Sequence, residues 1–436
     1  MYLEHLELEN YRLFESASID FHKRLTVLAG DNGAGKTTVL EGASVALSTL
    51  FVKMDNISGN PIKKSDAHLR SYTIGSTDDM QAQYPVRILA EGNINGRMVK
   101  WSRSLNTPEG STTFGDAREV LQISEGMQQK LRQGDATLKL PLIVYYGTGR
   151  LWDNHREKKV DVFKANTRTN GYIDSLDGTA NLKLMMTWFR KMTIQKYQRQ
   201  ERGMPSAPEL DVVYQALKDC FASLTGFRNV DIQYNLDTGE LDIYYSDKQD
   251  MKMKIALSQL SAGYKGTISL IADIAYRMAI LNPQLLDGVL NETEGVVLID
   301  EIDLHLHPSW QKRILTDLLR IFPKVQFIVS SHAPTIINSV HSENLVILKD
   351  YEPRYAMSQV FGKDVKSVLG EIMGVEARPE EVSTLFNTFY KQLTAREFDD
   401  AEVTLDQLDK LREYHDQEVT GCRVKLKMER IRGGAK

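Results

Sequence analysis

The sequence predicts an α/β fold in two lobes, with a helical insertion between them and a helical C-terminal region. Three observations carry that expectation. Gly30-Asp31-Asn32-Gly33-Ala34-Gly35-Lys36-Thr37 fits GxxxxGK[ST], between an apolar strand (RLTVLA) and a stretch with helical spacing (KTTVLEGASVALSTLF). A near-continuous apolar strand, Val296 to Ile299, ends in Asp300-Glu301, as suits the middle of a parallel sheet. With 436 residues, 42% hydrophobic and 26% charged, the chain can fill a large core. Together these describe a P-loop NTPase.

The elements follow in order. YLEHLELENY alternates with period two and reads as a strand. In the helix after the loop, Val39, Leu40, Ala43, Ala46 and Leu47 share one face. From about Val52 to Asp79 the composition is loop-like, with a turn at Gly59-Asn60-Pro61. PVRILAEG and RMVKWSRSL form a strand pair, and PLIVYY ends in Gly147-Thr148-Gly149-Arg150, closing a first lobe at 1–152. Residues 153–228 read as a helical insertion. Its longest helix sets Leu182, Met185, Met186, Phe189 and Met192 beside Lys183, Arg190, Lys191, Lys196, Arg199 and Arg202. That basic side is a nucleic-acid groove or a solvated helix face. A hairpin, NVDIQYN and ELDIYY, opens the second lobe at 229–350; the tail, 351–436, is helical and charged.

Charge and cysteine usage narrow the class. A net charge of -4 gives no global pull toward nucleic acid, so such contact would need a local basic patch. Cys220 and Cys422 make no CxxC pair, which points to a reduced compartment without a structural zinc. The N-terminal segment does not read as a signal peptide, and no apolar run reaches the length of a membrane span. A cytoplasmic protein is expected.

The chemistry follows from residue types. Glycines let backbone N–H groups curl around phosphate oxygens, and the helix N-terminus adds positive dipole. Gly30 to Thr38 therefore make the ATP site, with Lys36 on the β- and γ-phosphates and the Thr37 hydroxyl on Mg²⁺. Asp300, at a strand's C-terminal end beside that loop, joins Thr37 as metal ligand; Glu301 orients and polarises the attacking water. His305 and His307 alternate as a zinc pair would, but no Cys or third His clusters with them in sequence, and structural roles are the better reading.

Further stretches carry a resemblance. LSQLSAGYKG, with Leu260-Ser261-Ala262-Gly263, is similar to the LSGGQ signature of ABC ATPases, with Tyr264 in place of Gln. FIVSSHAP, with Ser331-His332, resembles the switch-histidine motif, and LENYRLFES the N-terminal motif of SMC-like heads. The order, phosphate loop, signature, Asp-Glu strand, His, matches ABC ATPases. PLIVYYGTGRLW, GYIDSLD, DEIDLHLHP and SSHAPTIINS resemble the compact SMC-like ATPases that include the PtuA subunit of Septu antiphage defence.

That resemblance implies an ABC-type ATPase head that dimerises around ATP, or forms a higher even oligomer. Ser261 and Gly263 would act in trans on the other subunit's nucleotide, His332 would sense the γ-phosphate, and Asp303 would lie in the loop joining the two sites. Arg12 and Arg150 would touch nucleotide or form structural ion pairs. Gln81 and Gln83 are the candidates for a Q-loop glutamine. The spacing from Lys36 to Asp300 leaves no room for a long coiled-coil arm, and no nuclease cluster is apparent. An antiphage ATPase that regulates a separate nuclease subunit of the HNH type is the first functional expectation. The alternatives are a repair or recombination head acting directly on DNA, and a nucleotide-sensing scaffold with little turnover.

Overall fold

A computed structural model describes residues 1–151, 167–178, 182–204, 207–247, 249–356, 359–376, 378–411 and 417–434. The side chain of Arg150, and much of the early part of the helical insertion, lie outside the described residues. The chain divides into two compact units, Met1–Gly362 and Lys363–Lys436.

The first unit is built on a six-stranded sheet. Its strands are β3 (Leu25–Gly30), β8 (Leu142–Tyr146), β12 (Gly295–Ile299), β13 (Val325–Ser331), β14 (Leu345–Lys349) and β15 (Glu352–Tyr355), in the order β15-β14-β3-β13-β12-β8. β14, β3, β13, β12 and β8 run parallel, and β15 adds an antiparallel edge. β3, β8, β12 and β13 are buried at every position, which is why they read as apolar runs without alternation.

A four-stranded antiparallel sheet has the order β2-β1-β6-β7. It comprises β1 (Tyr2–Tyr11), β2 (Phe14–Asp20), β6 (Val86–Ile94) and β7 (Arg97–Leu105). It holds the helix after the glycine-rich loop, α1 (Lys36–Leu47), from the other side. At the C-terminal end of α1, Trp101 Nε1 donates to Ala46 O at 3.0 Å. There Arg103 Nη1 donates to Val45 O at 3.0 Å and Ser48 Oγ at 2.8 Å, a cation at the C-terminal end of the helix. Burial pushes the Arg103 pKa down to about 10, so the side chain stays charged at neutral pH.

The end of the stretch read from composition as a loop, 52–79, lies instead in a hairpin: β4 (Leu69–Ile74) paired with β5 (Thr77–Ala82) in a sheet of its own. Every residue in it is exposed, so no buried face left a period-two pattern to read.

The first unit's longer helices are α2 (Arg118–Arg132), α3 (Leu182–Glu201), α4 (Pro208–Thr225) and α5 (Ala262–Leu281), with the one-turn α6 (Val289–Glu292), then α7 (Pro308–Ile321) and the one-turn α8 (Pro334–Ile337). α3 buries Met185, Phe189 and Met192 and leaves Lys183 and Arg190 exposed, whereas Leu182, Met186, Lys191, Lys196 and Arg199 are half-buried and Lys196 pairs with Asp211 at 2.7 Å. A three-stranded sheet, β11-β10-β9, comprises β9 (Arg228–Asn235), β10 (Glu240–Ser246) and β11 (Lys252–Ala256), and packs on α4. α5 is buried along nearly all its length.

In the second unit, after the single turn α9 (Val365–Ser367), α10 (Glu380–Ala395), α11 (Phe398–Leu411) and α12 (Gln417–Gly434) enclose a core of Phe386, Phe389, Leu405, Leu408 and Val419. Among the described residues, no helix is long and apolar enough to cross a membrane.

Candidate nucleotide-binding site

The site is assembled by strand order. β13 lies between β3 and β12, and all three are parallel, so the segments that follow them emerge on one edge of the sheet. These are the glycine-rich loop after β3, Asp300-Glu301 after β12, and His332 after β13. The sequence separates Lys36 from Asp300 by most of the first unit; the sheet removes that separation.

The loop turns into α1 through left-handed glycines. Gly35, at φ 101°, is the residue before the helix, and a Cβ there would meet the Phe14 ring at 2.4 Å. Phe14 of β2 thus braces the loop. Lys36 is buried, and its ammonium donates to Gly30 O and Asp31 O, both at 2.8 Å, and lies 3.4 Å from His332 Nδ1. Burial lowers the Lys36 pKa, against the pull of Asp300, Glu301, Asp31 and Asp303.

Thr37 Oγ1 donates to Asp300 Oδ2 at 2.7 Å, joining the two halves of the site directly. Ser330 Oγ donates to Asp300 Oδ1 at 2.5 Å and accepts the Glu301 N–H at 2.7 Å. The Asp300 N–H donates to Tyr146 O at 2.7 Å, across the β12–β8 pair. Asp300 is therefore held at both carboxylate oxygens and at its backbone. Glu301 follows with φ 46°, a left-handed conformation that costs a side-chain-bearing residue on the order of 1–3 kcal/mol.

Ser330 was not singled out by sequence reasoning, although the pair of serines ending the apolar strand FIVSS is a signal for it. Ser330→Ala should lower kcat by about tenfold, because a buried carboxylate oxygen losing its donor costs ~1–3 kcal/mol. Steady-state turnover beside an unchanged nucleotide Kd checks this.

The signature residues belong to a different surface. Ser261 precedes the first turn of α5 and is exposed, its side chain making no cap. Gly263 is buried because the His305 carbonyl lies where a Cβ would go, 2.5 Å away. Tyr264, which departs from the LSGGQ pattern, turns inward, its ring centroid 4.1 Å from that of Trp310 and 6.0 Å from that of Phe221. The departure thus fills an aromatic cluster between α5, α7 and α4. Asp303 is half-buried, with Oδ1 enclosed and without a hydrogen-bond partner among the described residues. His307 Nδ1 accepts the Ser309 N–H at 3.3 Å and caps α7.

Arg12 is engaged by Asp66, at 2.9 Å, and by Glu41 of α1. Gln81 and Gln83 lie on or beside the exposed hairpin, where Gln81 Nε2 donates to Asp79 and Gln83 Nε2 to Gln81 O. Neither is engaged by the residues around Asp300 in those bonds.

The residues fit a magnesium nucleotide. A lysine emerging from a helix N-terminus, a hydroxyl and a carboxylate as hard oxygen donors, and four carboxylates around one ammonium favour a phosphate chain with a divalent cation. Bound there, the cation would neutralise developing phosphate charge; Thr37 and Asp300 would hold it.

Comparison with known proteins agrees with that geometry. A family described as AAA domain matches residues 5–221, and a second AAA-domain family matches 163–338. The retron Vc95 probable ATPase of Vibrio cholerae is 28% identical, over 92% of this chain and 85% of that one. The retron Ec83 probable ATPase of Escherichia coli is 29% identical, over 86% of this chain and 77% of that one. The chain is an ATPase. The Septu protein PtuA of Bacillus thuringiensis is also similar to the ATPase, 22% identical over 86% of this chain and 84% of the relative. Likeness to both groups spans most of the chain rather than the phosphate loop alone.

Proposed function

We propose that the ATPase works as an ATP-clamped dimer, or a higher even assembly, whose hydrolysis cycle regulates a partner nuclease in antiphage defence. The observation that carries this reading is the division of the site. Gly30–Thr38, Asp300, Glu301 and His332 gather at one sheet edge, whereas Ser261 stands exposed at the end of a separate helix. A second copy would complete the site by presenting Ser261 and Gly263 to the γ-phosphate.

Within each site, Lys36 would bind phosphate, Thr37 and Asp300 would hold Mg²⁺, Glu301 would orient water, and His332, beside Lys36, would respond to the γ-phosphate. Asp303 would sit where the two sites meet, and Arg12 would brace α1 or reach the nucleotide. The division into 1–152, 153–228, 229–350 and 351–436 is retained as the working plan of the head. The relatives' retron and Septu names support a defence role, and an HNH-type subunit is the partner this reading expects.

Ser261→Arg is the direct test. It should leave ATP binding by the single chain unchanged, abolish ATP-dependent association and lower turnover at least tenfold, as read by light scattering and phosphate release. A variant that associates and hydrolyses like the parent would refute the trans-acting signature. For the partner, native mass spectrometry of the Glu301→Gln chain expressed with its genomic neighbours should show an even assembly carrying a nuclease subunit; a bare dimer would count against that part.

Lys183 and Arg190, exposed on α3, favour a second reading, direct action on DNA or RNA. It predicts ATP hydrolysis stimulated by nucleic acid and falling steeply with salt. A flat response removes it.

A further inference from the structure

Within the apolar run of α5, Asp273 and Arg277 are spaced i,i+4 and are both almost completely buried. Arg277 Nε donates to Asp273 Oδ2 at 2.7 Å. Its Nη1 donates to Gly171 O at 2.8 Å and Ile173 O at 2.9 Å. The same Asp273 oxygen accepts a second bond, from the Tyr146 hydroxyl at 2.6 Å. Burial and the neighbouring carboxylate hold the Tyr146 phenol protonated well above its ordinary range, so it is a donor there. Asp273 Oδ1 is enclosed, with no hydrogen-bond partner among the described residues.

Tyr146 is also the residue whose carbonyl accepts the Asp300 N–H. One residue therefore touches the metal-binding end of β12 with its backbone and α5 with its side chain. At its other end α5 meets the same β12 loop again, where Gly263 lies against the His305 carbonyl. Glu301 and His305, within that loop, both have positive φ (46° and 60°), a conformation held by its surroundings. α5 is thus a stiff rod, joined to the Asp300–His305 segment at two points about three helical turns apart. Ser261 is the residue at its tip.

We infer that Tyr146 is a positioning residue that couples Asp300 to the signature helix of its own subunit. Through the hydroxyl bond to Asp273, the state of the nucleotide site sets where α5 holds Ser261 for the opposing subunit. This rests on the ATP-clamped reading above and adds a route within one chain.

The test is Tyr146→Phe in the full chain, alone and combined with Glu301→Gln. The phenylalanine keeps the ring and the Asp300 backbone bond and removes only the hydroxyl. Fluorescent-nucleotide Kd should stay within twofold of the parent, kcat should fall at least fivefold with KM little changed, and ATP-driven association of the double variant should weaken at least tenfold relative to Glu301→Gln. Parent-like kcat and association would overturn the coupling. If Glu301→Gln itself does not associate with ATP, the clamped-dimer reading fails and takes this inference with it, a result distinct from failure of Tyr146 alone. If Tyr146→Phe does not fold, hydrogen exchange on the Ser261→Arg chain decides. Mg-ATP should slow the amides of 262–272 within that monomer, and unchanged exchange would overturn the inference.

Discussion

Glu301→Gln should retain ATP, lose turnover by about 10²–10⁴-fold, and accumulate as an ATP-bound assembly. That range is what a positioned general base contributes, and the substitution removes little else. Glu301 is half-buried, and its backbone N–H is fixed on Ser330 Oγ, so an isosteric amide can occupy the same place without disturbing Asp300. Separation of binding from turnover makes the result diagnostic. Equilibrium binding of radiolabelled ATP should match the parent, while phosphate release should fall to the residual level. Normal hydrolysis by this variant would remove Glu301 from the catalytic role and return attention to His332, whose Nδ1 lies 3.4 Å from the Lys36 ammonium.

Lys36→Ala should raise the nucleotide Kd by at least about 100-fold. Two charge-assisted hydrogen bonds to phosphate, at ~1.5–3 kcal/mol each, give that magnitude. The fold should survive, because the ammonium is a cost to the apo protein: burial lowers its pKa, and its partners are loop carbonyls and a histidine. Isothermal titration with Mg-ATP beside thermal melts of the apo chain checks both halves. A variant that melts like the parent and binds ATP normally would show that the cradle's backbone groups suffice, and the assignment of Lys36 would fall. A variant that unfolds would instead show the lysine to be structural.

The sequence by itself determined the chemistry whose residues are adjacent in the chain. The glycine-rich loop had its strand and helix on either side, and Asp300-Glu301 ended an apolar strand, so short-range pattern and residue type were enough. The order of motifs likewise carried the resemblance to ABC ATPases. What only the tertiary structure decided is how residues far apart in sequence meet. Thr37 reaches Asp300 because β13 lies between β3 and β12 in a parallel sheet, and strand order is set by crossovers that leave no local trace. Ser330 and Tyr146 were missed for the same reason, each being one more residue of a buried apolar strand until its neighbour across the sheet is known. Asp273 and Arg277, opposite charges in an apolar helix, were not singled out by sequence reasoning. Their partner, the Tyr146 hydroxyl, came from another strand. The exposed hairpin of β4 and β5 left no signal, because a strand without a buried face has no alternation for solvent to impose.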